Sequence, residues 1–136
     1  GLVGGEANAI QPGKRMLSSM SPTFIETDDK VGLMGTPGGS RIISMLLLAI
    51  LDAEQGQTPA SWVSLPRYHH QYLPDVIEHE PNAFSDKLMA DLKTKGHTLA
   101  PVGRHYGNMH AILWDKSAGV LTAASDPRGS GLAIVE

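Results

Sequence analysis

The longest apolar run, "IISMLLLAIL" from Ile42 to Leu51, is about ten residues, half of the ~20 that a helix needs to cross a bilayer. A stretch so apolar and so short has to be buried inside a domain. It predicts an internal helix from about Ser40 to Ala53, stopped near Gly56, on which the rest packs. The segment before it, "GTPGGSRI", sets Pro37, Gly38 and Gly39 at the helix entrance. Adjacent glycines let the chain take positive φ and let another group approach the main chain. Two readings stay open there: a turn that feeds a helix capped by Ser40, or a turn that aims backbone N–H groups at an anion or a developing oxyanion.

The 136 residues suit one domain, 1–136, and a chain of this length hides roughly two-thirds of its unfolded surface. A net charge of -3 gives no basic footprint for nucleic acid. The lack of cysteine removes disulfides and thiolate metal sites. No basic segment followed by an apolar one opens the chain, so no signal peptide is expected in it. It starts at Gly1 without Met and reads as a fragment of a longer protein.

Residues 1–21, rich in Gly, Asn, Pro and Ser, have no sustained period and read as a loop-rich segment. A hairpin follows, Thr23–Thr27 and Val31–Met34 around Asp28-Asp29-Lys30. Thr58 and Pro59 open a short helix to Ser64. "RYHHQ" and Val76–Glu80 read as short extended pieces. Ser85 opens an amphipathic helix, Asp86–Lys95, with Leu88, Met89 and Leu92 on one face and Gly96 at its end. Strands His97–Pro101, Gly107–Trp114 and Val120–Ser125 close the chain, "DKSAG" turning between the last two. Strands, helices, strands is the order of an α+β fold, helices layered on a mainly antiparallel sheet.

"KRMLSSMSPT" holds paired hydroxyls, Ser18 and Ser19. They read either as a Ser-rich turn or as two donors to one carboxylate. No neighbouring base and no G-x-S-x-G elbow marks either as a nucleophile. His69 and His70 are adjacent, so on a strand they face opposite sides and cannot share a metal ion. Without H-E-x-x-H, a P-loop or a dinucleotide fingerprint, no metal, nucleotide or other cofactor is expected. In "SDPR", Asp126 and Arg128 read as an ion pair or a turn.

Taken in order, "GLVGGEANAIQPGKRMLSSMSPT", "GTPGGSRII", "PRYHHQYLPD" and "SDPR" resemble the C-terminal part of the small subunit of the γ-glutamyltransferases, or γ-glutamyltranspeptidases. The resemblance covers essentially the whole chain. It implies an N-terminal-nucleophile hydrolase with an αββα sandwich, made as a precursor that cuts itself. The new N-terminal Thr of the small subunit takes the γ-glutamyl group of a donor such as glutathione and passes it to water, an amino acid or a peptide. By that resemblance Gly38 and Gly39 match the oxyanion-hole glycines, and Ser18 and Ser19 match the pair that holds the donor's α-carboxylate. Arg67 and Arg128 match motif arginines that support the fold.

The departures are as specific. The Thr-[Ser/Thr]-His segment with the nucleophile is absent, as are the residues that grip the donor's amino group, and Gly1 has no side chain to replace a Thr. Met16 stands where many members have Pro. The expectation is therefore a chain inactive alone, whose partners are the large subunit and the missing N-terminal segment of the same precursor. The resemblance implies a periplasmic or secreted location, and the chain itself holds no membrane span. A non-catalytic binding or assembly module of the same fold, or an acylase for a glutaryl-type amide, are the rival readings.

Overall fold

The computed structural model describes residues 4–136. Between residues 4 and 22 the backbone forms one short 3-10 turn, Glu6–Asn8, and a tight turn closed by the Lys14 N–H on the Gln11 carbonyl at 3.2 Å, as the Gly- and Pro-rich composition predicts; residues 1–3 of that segment lie outside those described.

The hairpin is β1 (Thr23–Glu26) and β2 (Lys30–Gly35). It joins β6 (His110–Asp115) and β7 (Val120–Ser125) in one antiparallel sheet of order β1-β2-β6-β7. Strand alternation sorts its side chains. Register puts Met34 opposite Ala111 and Ala111 opposite Ala124 on one face. Helix α1 (Ile42–Glu54) covers that face with Ile42, Met45, Leu46 and Ala49, the i, i+3, i+4, i+7 stripe of a core-facing helix. Helix α2 (Pro59–Ser64) adds Trp62 and Val63. The apolar run Ile42–Leu51 forms the central helix expected of it, but it is buried on one face only: Ile43, Leu47 and Leu51 are exposed.

On the other face the register aligns Phe24, Leu33, Ile112 and Ala123, and beside them Val31, Trp114 and Leu121. Phe24 is 71% exposed and Trp114 46%. No described element covers this apolar face.

A second, smaller sheet has the order β3-β4-β5, from Tyr68–His69, Ile77–His79 and Leu99–Pro101. Helix α3 (Asp86–Thr94) connects β4 to β5, and this pair is parallel, unlike the other strand pairs described, the outcome of a helical crossover. Ser85 caps α3, its Oγ accepting the Leu88 N–H at 3.2 Å. Ser40 does not cap α1. A 3-10 turn, Gly39–Arg41, intervenes, so α1 starts at Ile42 and no side-chain capping bond forms. Thr58 holds the N-cap position of α2 as expected, without a hydroxyl bond to the helix.

Candidate functional site

β2 ends at Gly35, and Thr36-Pro37-Gly38 carries the chain to the 3-10 turn. Gly38 has φ 157 and Gly39 φ 60, and the second is the left-handed region that favours glycine. The Gly38 carbonyl accepts the Arg41 N–H at 3.2 Å. The Gly38 and Gly39 N–H groups donate to no acceptor among the described residues. Gly39 is exposed. The turn thus presents unpaired donors on a backbone without side chains.

The turn is fixed from behind. A Cβ on Gly38 would stand 2.5 Å from Met45 Cε, and Met45 is buried in the core. Met45 also meets Gly107, where a Cβ would stand 2.5 Å from its Sδ, 2.6 Å from Arg67 Nη1 and 3.0 Å from Thr36 Oγ1. Gly107, at φ 80, lets the β5–β6 connection close on Met45 and Thr36.

Ser18 and Ser19 lie in the extended lead to β1. Ser18 Oγ accepts the Met20 N–H at 3.2 Å, which leaves its own O–H free to donate. The Ser19 carbonyl accepts Ser21 Oγ–H at 3.1 Å. Met20, Ser21 and Pro22, just after the serine pair, share one cleft of about 380 Å³ with Thr36 and Pro37, just before the glycine pair. Two segments far apart in sequence therefore border a common space.

Arg67 and Arg128 sit elsewhere, in a buried cluster between α2 and the two sheets. Arg67 bonds Asp126 and the Tyr106 carbonyl. Arg128 spans Glu80 (2.5 Å) and Asp126 (3.1 Å) and donates to the carbonyls of Val63 (3.1 Å) and Leu65 (2.9 Å), at the end of α2. Burial alone would push the Glu80 carboxyl up, but bonds from Arg128, His105 and the Arg67 N–H outweigh it and hold its pKa below the ordinary value. Asp126 is likewise held low against burial, chiefly by the N–H groups of Met109 and Arg128 and by Arg67. Burial, with Glu80 nearby, pushes the Tyr106 hydroxyl up to about 12.

His69 is buried, its Nδ1 2.7 Å from Ser44 Oγ, while His70 points outward to Asp75 at 2.8 Å. Among the described residues no group of three or more His, Cys, Asp or Glu is placed to hold a metal ion. Sequence reasoning singled out neither Glu80, Thr36, Met45 nor Gly107. The lone Gly107 before a strand was the available sign of a close approach.

The family model described as gamma-glutamyltranspeptidase matches residues 1–135. A glutathione hydrolase proenzyme of Pseudomonas aeruginosa is 45% identical over 139 residues, spanning 99% of this chain and 25% of the relative. The solved γ-glutamyltranspeptidase T380A mutant of Helicobacter pylori superposes with a TM-score of 0.82 at 38% identity, over 95% of this chain and 71% of that one. The enzyme of Pseudomonas nitroreducens, solved with L-DON, gives 0.81 at 40% identity, over 98% of this chain and 70% of that one.

Helices α1 and α2 on one face of an antiparallel sheet are consistent with the α+β architecture of the N-terminal-nucleophile hydrolases, the class of the solved γ-glutamyltranspeptidases on which the chain superposes. Within that class, this chain belongs to the γ-glutamyltranspeptidase family. It spans about a quarter of the length of the curated relatives that it matches, 25% and 22% for the first two.

Proposed function

We propose that this chain is a single domain forming the acyl-binding side of the active site in a complete, self-processed γ-glutamyltransferase. The observation that carries the reading is the pair of unpaired N–H groups at Gly38 and Gly39, on a turn fixed from behind by Met45. Donors held in place before charge develops cost no reorganisation when it does.

In this reading a Thr at the new N-terminus of the small subunit, on another part of the precursor, attacks the γ-carbonyl of a donor such as glutathione. The carbonyl oxygen gains charge and is met by the Gly38 and Gly39 N–H groups. The amine leaves, and water, an amino acid or a peptide then takes the γ-glutamyl group from the Thr. Ser18 and Ser19 hold the donor's α-carboxylate, and Arg67 and Arg128 support the scaffold. The large subunit and the rest of the small subunit are the partners, and the open sheet face is where the second sheet of the αββα sandwich sits. No described helix is long and apolar enough to cross a membrane, and the complete protein is assigned to the periplasm or medium.

The test is release of aniline from a γ-glutamyl anilide by the complete precursor and by the 136-residue chain alone. The precursor turns over and the chain does not. Turnover by the chain alone overturns the assignment.

A further inference from the structure

We propose that Thr36 is a positioning residue for this reaction: its hydroxyl sets the direction in which the Gly38 N–H points. The inference rests on the oxyanion role given above to the glycine turn. Thr36 Oγ1 lies 3.0 Å from the Pro37 carbonyl oxygen, to which it donates, and accepts the Asn108 N–H at 3.1 Å. Met45 Sδ, at 3.9 Å, is the weaker of the two acceptors within reach of its single hydrogen.

The Pro37–Gly38 peptide is a planar trans unit, so its C=O and N–H point in opposite directions. A hydroxyl that holds the Pro37 carbonyl therefore turns the Gly38 N–H outward. Glycine has no side chain to fix this plane, and its own torsions are soft. The fixing group has to come from the preceding residues.

Thr36 is itself held. Its acceptor bond comes from Asn108, whose neighbour Gly107 packs against Thr36 Oγ1, Met45 Sδ and Arg67 Nη1. Arg67 grips the Tyr106 carbonyl and Asp126. A continuous path thus runs from the buried Arg67–Asp126 pair through residues 106–108 to Thr36, and from Thr36 to the peptide that carries the Gly38 N–H. The arginine cluster lies outside the cleft and still bears on the direction of one donor.

The experiment compares Thr36→Val, which keeps the shape and removes the hydroxyl, with Thr36→Ser, which restores it. Both are made in the complete precursor and assayed on processed, folded material. Thr36→Val should lower kcat at least about tenfold, the scale of one misdirected charge-assisted bond, with KM for the donor unchanged. Thr36→Ser should recover most of it. A boronic-acid analogue of the γ-glutamyl group, which becomes a tetrahedral anion on the nucleophile, should lose affinity in parallel with kcat, while free glutamate binds as before. If Thr36→Val yields no processed protein, Thr36→Ala carries the same comparison without filling more space.

Unchanged kcat and boronate affinity in Thr36→Val, alongside a large loss of both in Gly39→Ala, would overturn the role of Thr36 and leave the oxyanion turn standing. Boronate affinity indifferent to both substitutions would overturn the oxyanion reading itself.

Discussion

Gly38 rests on Met45: a Cβ at Gly38 would come within 2.5 Å of the Met45 methyl, whereas one at Gly39 would meet nothing within 4 Å. The two glycines are therefore constrained by different things. Gly38 answers to packing and to its backbone at φ 157, whereas Gly39 answers to its backbone alone, at φ 60.

Gly38→Ala should overpack the core under the turn, at a cost of about 1–3 kcal/mol. Met45→Ala in the same chain should return part of that loss. Gly39→Ala should cost about 1–2 kcal/mol from its left-handed backbone, with no benefit from Met45→Ala. Its kcat should fall about 10²–10³-fold, because the new methyl stands in the approach to the donors. Thermal midpoints of the four proteins, with kcat on the folded fraction, check the scheme.

The Glu80 and Asp126 carboxyls are held below their ordinary range in the folded protein. Groups depressed on folding add stability that is complete above their unfolded pKa, near ~4. That stability drains as pH falls through the lower, folded values. Thermal midpoints should hold between neutral pH and about 5 and drop progressively below ~4. Asp126→Asn should lower the plateau and flatten the acid limb. An acid limb as steep as in the parent would remove Asp126 from the titration.

Arg67→Met should cost about 3–5 kcal/mol, since it leaves Asp126 buried beside one cation rather than two. Denaturant unfolding of the complete protein measures it. A loss under a kcal/mol would mean that Arg128 alone satisfies the carboxylate.

In the role proposed for Ser18 and Ser19, replacing both by Ala in the complete protein removes two donors to the substrate's α-carboxylate. kcat/KM should fall at least about tenfold for each bond lost. The fall should vanish for a donor without that carboxylate. Equal losses with both donors would return the pair to a turn.

Much of this arrangement was legible because its signals are local. The Asp28-Asp29-Lys30 turn, Ser85 with Gly96 around α3, and the apolar run of α1 each carry their own punctuation, and these elements form where expected. The start of α1 was misread by the same kind of signal. Ser40 is a good capping residue in sequence, but a 3-10 turn forms first at Gly39–Arg41 and leaves Ser40 one residue short of the capping position, which Arg41 holds. The buried cluster could not be read at all as a cluster. Arg67 and Asp126 are 59 residues apart, and Glu80 and Arg128 are 48 apart. No periodicity or spacing links such partners; the packing of α2 on β6 and β7, with the chain after β4 returning to its end, brings them together. Nothing local marks Thr36, whose Oγ1 accepts a backbone N–H from Asn108, 72 residues away.

Trp62 is buried, and Trp114 stands on the uncovered sheet face. The chain alone should therefore self-associate, and Trp114→Glu should suppress that association in sedimentation experiments. In the complete protein the emission of Trp114 should shift to shorter wavelength relative to the chain alone at dilutions where it is monomeric. A monodisperse chain with solvent-like Trp114 emission in both settings would show that nothing covers the face.

That same face bears on how a protein of this design tolerates being cut. When two pieces meet across a sheet surface of Phe24, Leu33, Ile112 and Trp114, their cohesion resides in the surface and not in the peptide that once linked them. Breaking one backbone bond then removes connectivity without removing attachment. With the partner proposed above seated on this face, a new amino terminus can form while the two pieces stay together.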